Sequence, residues 1–210
     1  MNAEAELTEL VLGYGGWLES RPPLTPRPGQ YVIASPLGSP ATLPEALFPA
    51  AYAVRAWLAA DPLPAAWQPG LLLSLRGPLG NGFTLPGTVR RVALAAPQTA
   101  IQRLLPLVDL ALGQGAAVTL CTAATPPGLP SAVEVLPPAA LPELAAWADY
   151  LALELPVTSL EGLRPRLGLE REARPAAKIE LLLRTPMPCG GLGECGICAV
   201  PVRKGWLPAC

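Results

Sequence analysis

The sequence contains no histidine among its 210 residues. That absence excludes a Ser–His–Asp triad, a Cys–His nucleophile pair, histidine-ligated zinc and a Rieske-type cluster. Any metal must sit mainly on cysteine or carboxylate, and proton transfer would fall to Asp, Glu, Lys, Tyr or Cys. Charge is sparse too: 15% of residues are charged, and the net charge is −1. Phosphate backbones are bound through basic surfaces, so nucleic acid is not an expected partner. Long apolar runs are also missing. Pro, Asp, Arg or Glu interrupt each one well before the roughly 18 residues that a membrane span needs, so no span is expected. The opening stretch, MNAEAELTELVLGYGG, lacks a basic segment followed by an apolar one and predicts no signal peptide. These absences lead to the expectation of a cytoplasmic protein, where clustered cysteines more often bind metal than form disulfides.

Apolar residues are plentiful at 51%, and so are prolines, at 28. Such a chain can bury a real core and is not of the disordered class. Its first 87 residues read as short strands between proline-rich turns. Gln30–Ser35 follows a Pro-Gly turn, as does Leu71–Leu75, and both are predicted strands. The alanine-rich stretch from Leu43 to Ala60 fits neither strand nor helix clearly. Turn signals around short apolar runs suggest a small β-barrel or sandwich. Gly77, Gly80 and Gly82 then mark a tight path at a domain boundary.

From Thr88 the rhythm alternates. Strands are predicted at 89–95, 116–121, 132–136, 150–154 and 178–183, and helices at 99–112, 141–148 and 159–167. This pattern implies a parallel sheet covered on both faces. Three regions result: residues 1–87 as a β-barrel, 88–184 as an α/β Rossmann-like domain, and 185–210 as a cysteine-rich segment.

Four of the five cysteines, Cys189, Cys195, Cys198 and Cys210, fall in that last segment with spacing C-x5-C-x2-C-x11-C. Plant-type [2Fe–2S] clusters use C-x4-C-x2-C and a more distant fourth ligand. Gly190, Gly191, Gly193 and Gly196 suit a loop that must take φ-positive turns and aim N–H groups at sulfur. Pro186 and Pro188 would stiffen the approach, while Ile197, Val200 and Trp206 could shield the cluster. A four-cysteine zinc site is the main alternative, although only one tight C-x2-C pair exists. Two disulfides are less favoured. Cys121, at the end of a predicted buried strand, reads as a core residue. Glu194 reads as a solvated loop residue, and Arg203 and Lys204 as an exposed turn.

The tail, GPLGNGF at 77–83 and PGQYV at 28–32 together resemble the electron-transfer subunit of class 1B dihydroorotate dehydrogenase, within the ferredoxin–NADP reductase-like group. The resemblance implies a barrel holding FAD, a Rossmann-like domain receiving NAD, and a [2Fe–2S] cluster on Cys189, Cys195, Cys198 and Cys210. It further implies that the chain relays electrons in a hetero-oligomer with a flavin-containing catalytic subunit, in pyrimidine biosynthesis, without turning over dihydroorotate itself. Two motifs depart from the pattern. In the run 43–50, Glu45 or Ala46 stands where an arginine would hold the flavin phosphates, which leaves FAD open. The turn Leu94–Thr99 has no glycine and includes Pro97, which argues against NAD. A divergent member that wires a cluster to another oxidoreductase without its own FAD or NAD is the second reading, and a zinc-stabilised interaction module the third.

Overall fold

The computed structural model describes residues 1–39, 43–170, 174–202 and 204–210, so Arg203 lies outside the described residues. The chain forms two compact units, one made of residues 1–82 and 185–210, the other of residues 83–184.

The first unit is a strand-rich half-barrel. Its strands are β1 (Asn2–Val11), β2 (Gly15–Arg21), β3 (Tyr31–Pro36), β4 (Glu45–Leu47), β5 (Pro49–Tyr52), β6 (Ala56–Ala60) and β7 (Leu72–Leu79). They lie in the order β4-β3-β7-β1-β2-β6-β5, with antiparallel neighbours throughout. Alternation sets the inner face: along β1, Ala3, Ala5 and Leu7 are buried while Glu4 and Glu6 face water. Leu7, Leu18, Val32, Trp57, Leu73 and Leu75 form the core. The Trp57 indole N–H donates to the Leu24 carbonyl at 3.0 Å, which satisfies the one polar atom this buried side chain carries. The stretch 43–60, ambiguous in sequence, supplies three strands. Alanine has little strand preference of its own, and pairing with β3 and β2 decides the outcome.

The second unit runs β8 (Arg91–Ala96), a 3₁₀ turn (Ile101–Leu104), α1 (Pro106–Gly113), β9 (Ala117–Thr122), β10 (Val133–Leu136), a 3₁₀ turn (Pro138–Ala140), α2 (Leu141–Trp147), β11 (Tyr150–Pro156), a 3₁₀ turn (Val157–Ser159), α3 (Leu163–Arg166) and β12 (Lys178–Arg184). The five strands are parallel, in the order β10-β9-β8-β11-β12. Both faces are covered. Val92, Leu94 and Ala96 pack with Leu104, Leu107 and Val108 on one side, while Ala93 and Ala95 pack with Leu141, Leu144 and Leu163 on the other. The helix expected over 99–112 is divided. Pro106 has no N–H for a continuing ladder and instead opens α1 at its first position. The helix expected over 159–167 is likewise reduced to a 3₁₀ turn followed by the single turn of α3.

The units divide earlier than the expected boundary at 87, because Phe83 and Leu85 pack on the parallel-sheet core. Residues 185–210 group with the half-barrel and end in a hairpin of β13 (Ala199–Val202) and β14 (Gly205–Pro208). Among the described residues no helix is long and apolar enough to cross a membrane.

Candidate functional site

The β13–β14 hairpin explains the long gap between the third and fourth cysteines. Ala199 pairs with Pro208, and the Ala209 N–H donates to the Cys198 carbonyl at 2.9 Å, so the chain returns beside its starting point. The return brings Cys210 back to Cys198. The φ-positive glycines between them likewise turn the chain from Cys189 back toward Cys195, a second pair. Cys198 is buried, Cys189 and Cys210 are half-buried, and Cys195 is exposed. Among the described residues no group of three or more cysteines or carboxylates is arranged around a single metal position. The arrangement is two pairs.

Backbone donors reach both pairs. The backbone N–H groups of Leu192, Cys195 and Gly193 favour the charged Cys189 sulfur, and that of Gly193 also favours a charged Cys210 sulfur. The Cys195 thiol, followed by these N–H groups, holds Cys189 down to about 6, favouring the thiolate that binds metal. Burial, then the neighbouring Cys198 and Cys189 sulfurs, pushes Cys210 up. All four loop glycines adopt positive φ, as their placement predicts.

The half-barrel holds this loop by its carbonyls. The Tyr31 hydroxyl donates to the Cys210 carbonyl at 3.0 Å, and the Arg76 guanidinium donates to the Gly190 carbonyl. Burial, then the charges of Cys210 and Cys198, pushes Tyr31 up to about 12, so its hydroxyl remains a donor. Tyr31 belongs to PGQYV, and Arg76 immediately precedes GPLGNGF. These two segments also touch directly: the Gln30 amide donates to the Gly80 carbonyl at 3.2 Å. Neither Tyr31 nor Arg76 was marked by the sequence reading. The available signal was that Arg76 is the only charged residue between Leu71 and Val89.

Other expectations fare unevenly. Cys121 is fully buried and donates to the Pro137 carbonyl at 3.5 Å, as a core residue should. Val200 is buried, but Ile197 and Trp206 are exposed, Trp206 by 68%, so neither is sequestered as a shield. Trp206 lies on the outer hairpin, where no further layer covers it. Glu194 and Lys204 face solvent. Glu45 is exposed and Ala46 half-buried on β4.

A second polar cluster sits in the parallel-sheet unit. Glu154 on β11 is fully buried, and its Oε1 lies 2.9 Å from Arg103 Nη1 and 3.3 Å from Arg184 Nε. Burial pushes the Glu154 carboxyl up, opposed by Arg103 and then Arg184. Glu154, Arg103 and Arg184 are not among the site residues expected from the sequence. The signal was Glu154 as the sole charge in the run YLALELPVTSL.

No protein-family model matches this sequence, and no curated protein sequence matches it either. Solved structures do. The chain is similar to an NADH-dependent reduced ferredoxin–NADP oxidoreductase studied for flavin-based electron bifurcation, with a TM-score of 0.77 at 17% identity, over 98% of this chain and 85% of that one. A ferredoxin reductase in carbazole 1,9a-dioxygenase matches with a TM-score of 0.66 at 17% identity, over 87% of this chain and 69% of that one. The Amycolatopsis cytochrome P450 reductase GcoB matches with a TM-score of 0.64 at 16% identity, over 88% and 70%. The fold is ferredoxin reductase-like. At these identities the likeness carries the two-unit architecture and leaves the cofactors to be argued from this chain's own residues.

Proposed function

We propose that this chain is an electron-transfer subunit that carries a [2Fe–2S] cluster on Cys189, Cys195, Cys198 and Cys210. The observation that carries the reading is the path of the chain: the hairpin returns Cys210 to Cys198, whose carbonyl accepts the Ala209 N–H at 2.9 Å, and the glycine loop carries Cys195 back toward Cys189, so the four cysteines fall in two pairs. A two-iron cluster needs two thiolates on each metal, whereas zinc needs four converging on one ion. The donor set fits the cluster in a second respect: N–H groups directed at sulfur stabilise thiolate charge without adding a side chain. When bound, the cluster would supply a one-electron relay. The chain's own residues do the holding: Tyr31 and Arg76 fix the loop through the Cys210 and Gly190 carbonyls.

Three of the solved structures that resemble this chain are named as reductases or oxidoreductases, two of these with an oxygenase or a P450, and this supports action beside a larger oxidoreductase. The motif resemblance makes the flavin-containing subunit of dihydroorotate dehydrogenase, in pyrimidine synthesis in the cytoplasm, the partner we favour. Leu192, Ile197, Val202, Trp206 and Leu207 are exposed on the cysteine segment and offer an apolar contact surface near the thiols, where a short electron path requires the partner. The second reading, a relay for another oxidoreductase without its own FAD or NAD, draws on Glu45 at the phosphate-facing run and on the glycine-free turn after β8. The half-barrel of this fold is the place for FAD if the chain binds it.

Metal, sulfide and flavin analysis of aerobically purified protein tests these readings together. Equal iron and labile sulfide with a reddish-brown absorption is the expected result. Extractable FAD would return the flavin to this chain, and a colourless protein with one zinc and no iron would sink the cluster. Cys195→Ser is expected to lose the iron signal; an unchanged signal would remove Cys195 from the ligand set.

A further inference from the structure

In open parallel sheets, ligands bind outside the carboxyl ends of the strands, at the point where strand order reverses. Here β9 lies on one side of β8 and β11 on the other, so the reversal falls between β8 and β11. The residues at those carboxyl ends are the glycine-free turn after Ala96, Thr99, Arg103, Glu154 and, at the end of β12, Arg184. This is where the buried charged side chains of the unit, Arg103 and Glu154, converge. Glu154 is 0% exposed and Arg103 8%, with the pair at 2.9 Å and Arg184 Nε 3.3 Å from the same carboxylate oxygen. The other carboxylate oxygen, Oε2, and the Thr99 hydroxyl are buried in the same cluster.

We infer that Glu154 is a built-in anion: its carboxylate occupies the ligand position of the parallel sheet, closes it to a pyridine dinucleotide, and masks a phosphate-binding site on Arg103 and Arg184. A buried carboxylate in contact with both guanidiniums neutralises the charge that an incoming phosphate would need, and it repels the phosphate as well. The turn after β8 adds a second obstacle. Alanine Cβ atoms and Pro97, which lacks an N–H, replace the bare backbone that pyrophosphate binding uses. Burying a charge is tolerated only where it is paired, and removing one partner leaves the other exposed to whatever anion can reach it. The parallel sheet then offers free NADH and NADPH no position to bind. This goes beyond the relay reading and stands apart from the cluster, because every residue it uses lies within 83–184.

Titration of the full purified chain with NADH, NADPH and inorganic phosphate provides the test, followed by calorimetry and by the shift in melting temperature. Wild-type protein is expected to bind neither nucleotide at millimolar concentration and to show no saturable phosphate response. Glu154→Ala is expected to bind phosphate about tenfold or more tightly than wild type, and Arg103→Ala in the same background to abolish the gain. Saturable binding of NADH or NADPH by wild type would overturn the inference, as would a folded Glu154→Ala protein with the wild-type phosphate response. Should Glu154→Ala fail to fold, Glu154→Gln keeps the volume and removes the charge. A phosphate response tighter than wild type then supports the masked site, and an equal one overturns it. Iron content, read on the same samples, reports separately on the cluster.

Discussion

At Gly191 the cysteine loop lies close against the half-barrel. Its φ is +72°, and a Cβ built there would lie 2.8 Å from the Tyr31 hydroxyl oxygen. Alanine would therefore meet two penalties, a left-handed backbone worth about 1–2 kcal/mol and a collision with an atom that already donates to the Cys210 carbonyl. Gly191→Ala is expected to destabilise the loop by about 2–3 kcal/mol in denaturant melts and to lower iron occupancy. Tyr31→Phe alone should cost about 1 kcal/mol for its lost hydrogen bond. The double variant should lose less than the sum, since phenylalanine removes the colliding atom and leaves only the backbone penalty. Strict additivity in that cycle would mean that the Cβ never meets the hydroxyl. The loop glycines were legible in the sequence because their type and spacing carry the geometry. Tyr31 was not, because a tyrosine in a strand has many uses and only the return of the tail to β3 selects this one.

At the level of elements, the starts of β8 and β11 are tied by one carboxylate. Asp149 accepts the Arg90 and Arg91 N–H groups at 3.1 and 3.0 Å, and the Arg91 guanidinium at 2.6 Å. The Arg91 side chain, then the Arg90 N–H, holds Asp149 down to about 2, below its ordinary 3.8. A carboxyl with a depressed folded-state value contributes stability that is complete above its unfolded value and is lost as pH falls toward the folded one. Stability should therefore decline between about pH 4 and pH 2 in part through this group. Asp149→Asn is expected to flatten that part of the curve, as read by urea midpoints at successive pH values, while other carboxylates keep their own slopes. An unchanged slope would show that the exposed pair forms no net link. The alternation of strand and helix that positions Asp149 was readable from 3.6 and 2.0 periodicities. The break at Pro106 was readable only in part: a proline there can end one helix or open the next, and the 3₁₀ turn before it is set by Ile101 and Leu104 docking in the core. Strands β4 to β6 were hidden for the opposite reason, since an alanine-rich run takes its conformation from its neighbours.

Across the whole molecule, the first unit is discontinuous, and the cysteine-rich segment is the part that returns to it after a complete second unit has intervened. The cores are drawn separately. Leu7, Trp57 and Leu75 belong to residues 1–82, whereas Leu94, Leu120, Leu153 and Leu163 belong to residues 83–184. Among the described residues none after 184 belongs to these three cores, so the tail depends on its hairpin, on the burial of Cys198 and Val200, on two carbonyl contacts to Tyr31 and Arg76, and on whatever its thiols bind. Metal binding free energy is folding free energy for such a segment. Removing the metal with a chelator and reductant is therefore expected to erase hydrogen-exchange protection in residues 189–210. It should weaken protection in β3 and β7, which hold the loop, and leave the amides of β8, β9 and β11 at their original rates. Exchange that rose equally in the parallel sheet would show that the bound metal stabilises both units. Protection that persisted in the tail would show that the hairpin folds without a metal and that the thiols were placed for another purpose.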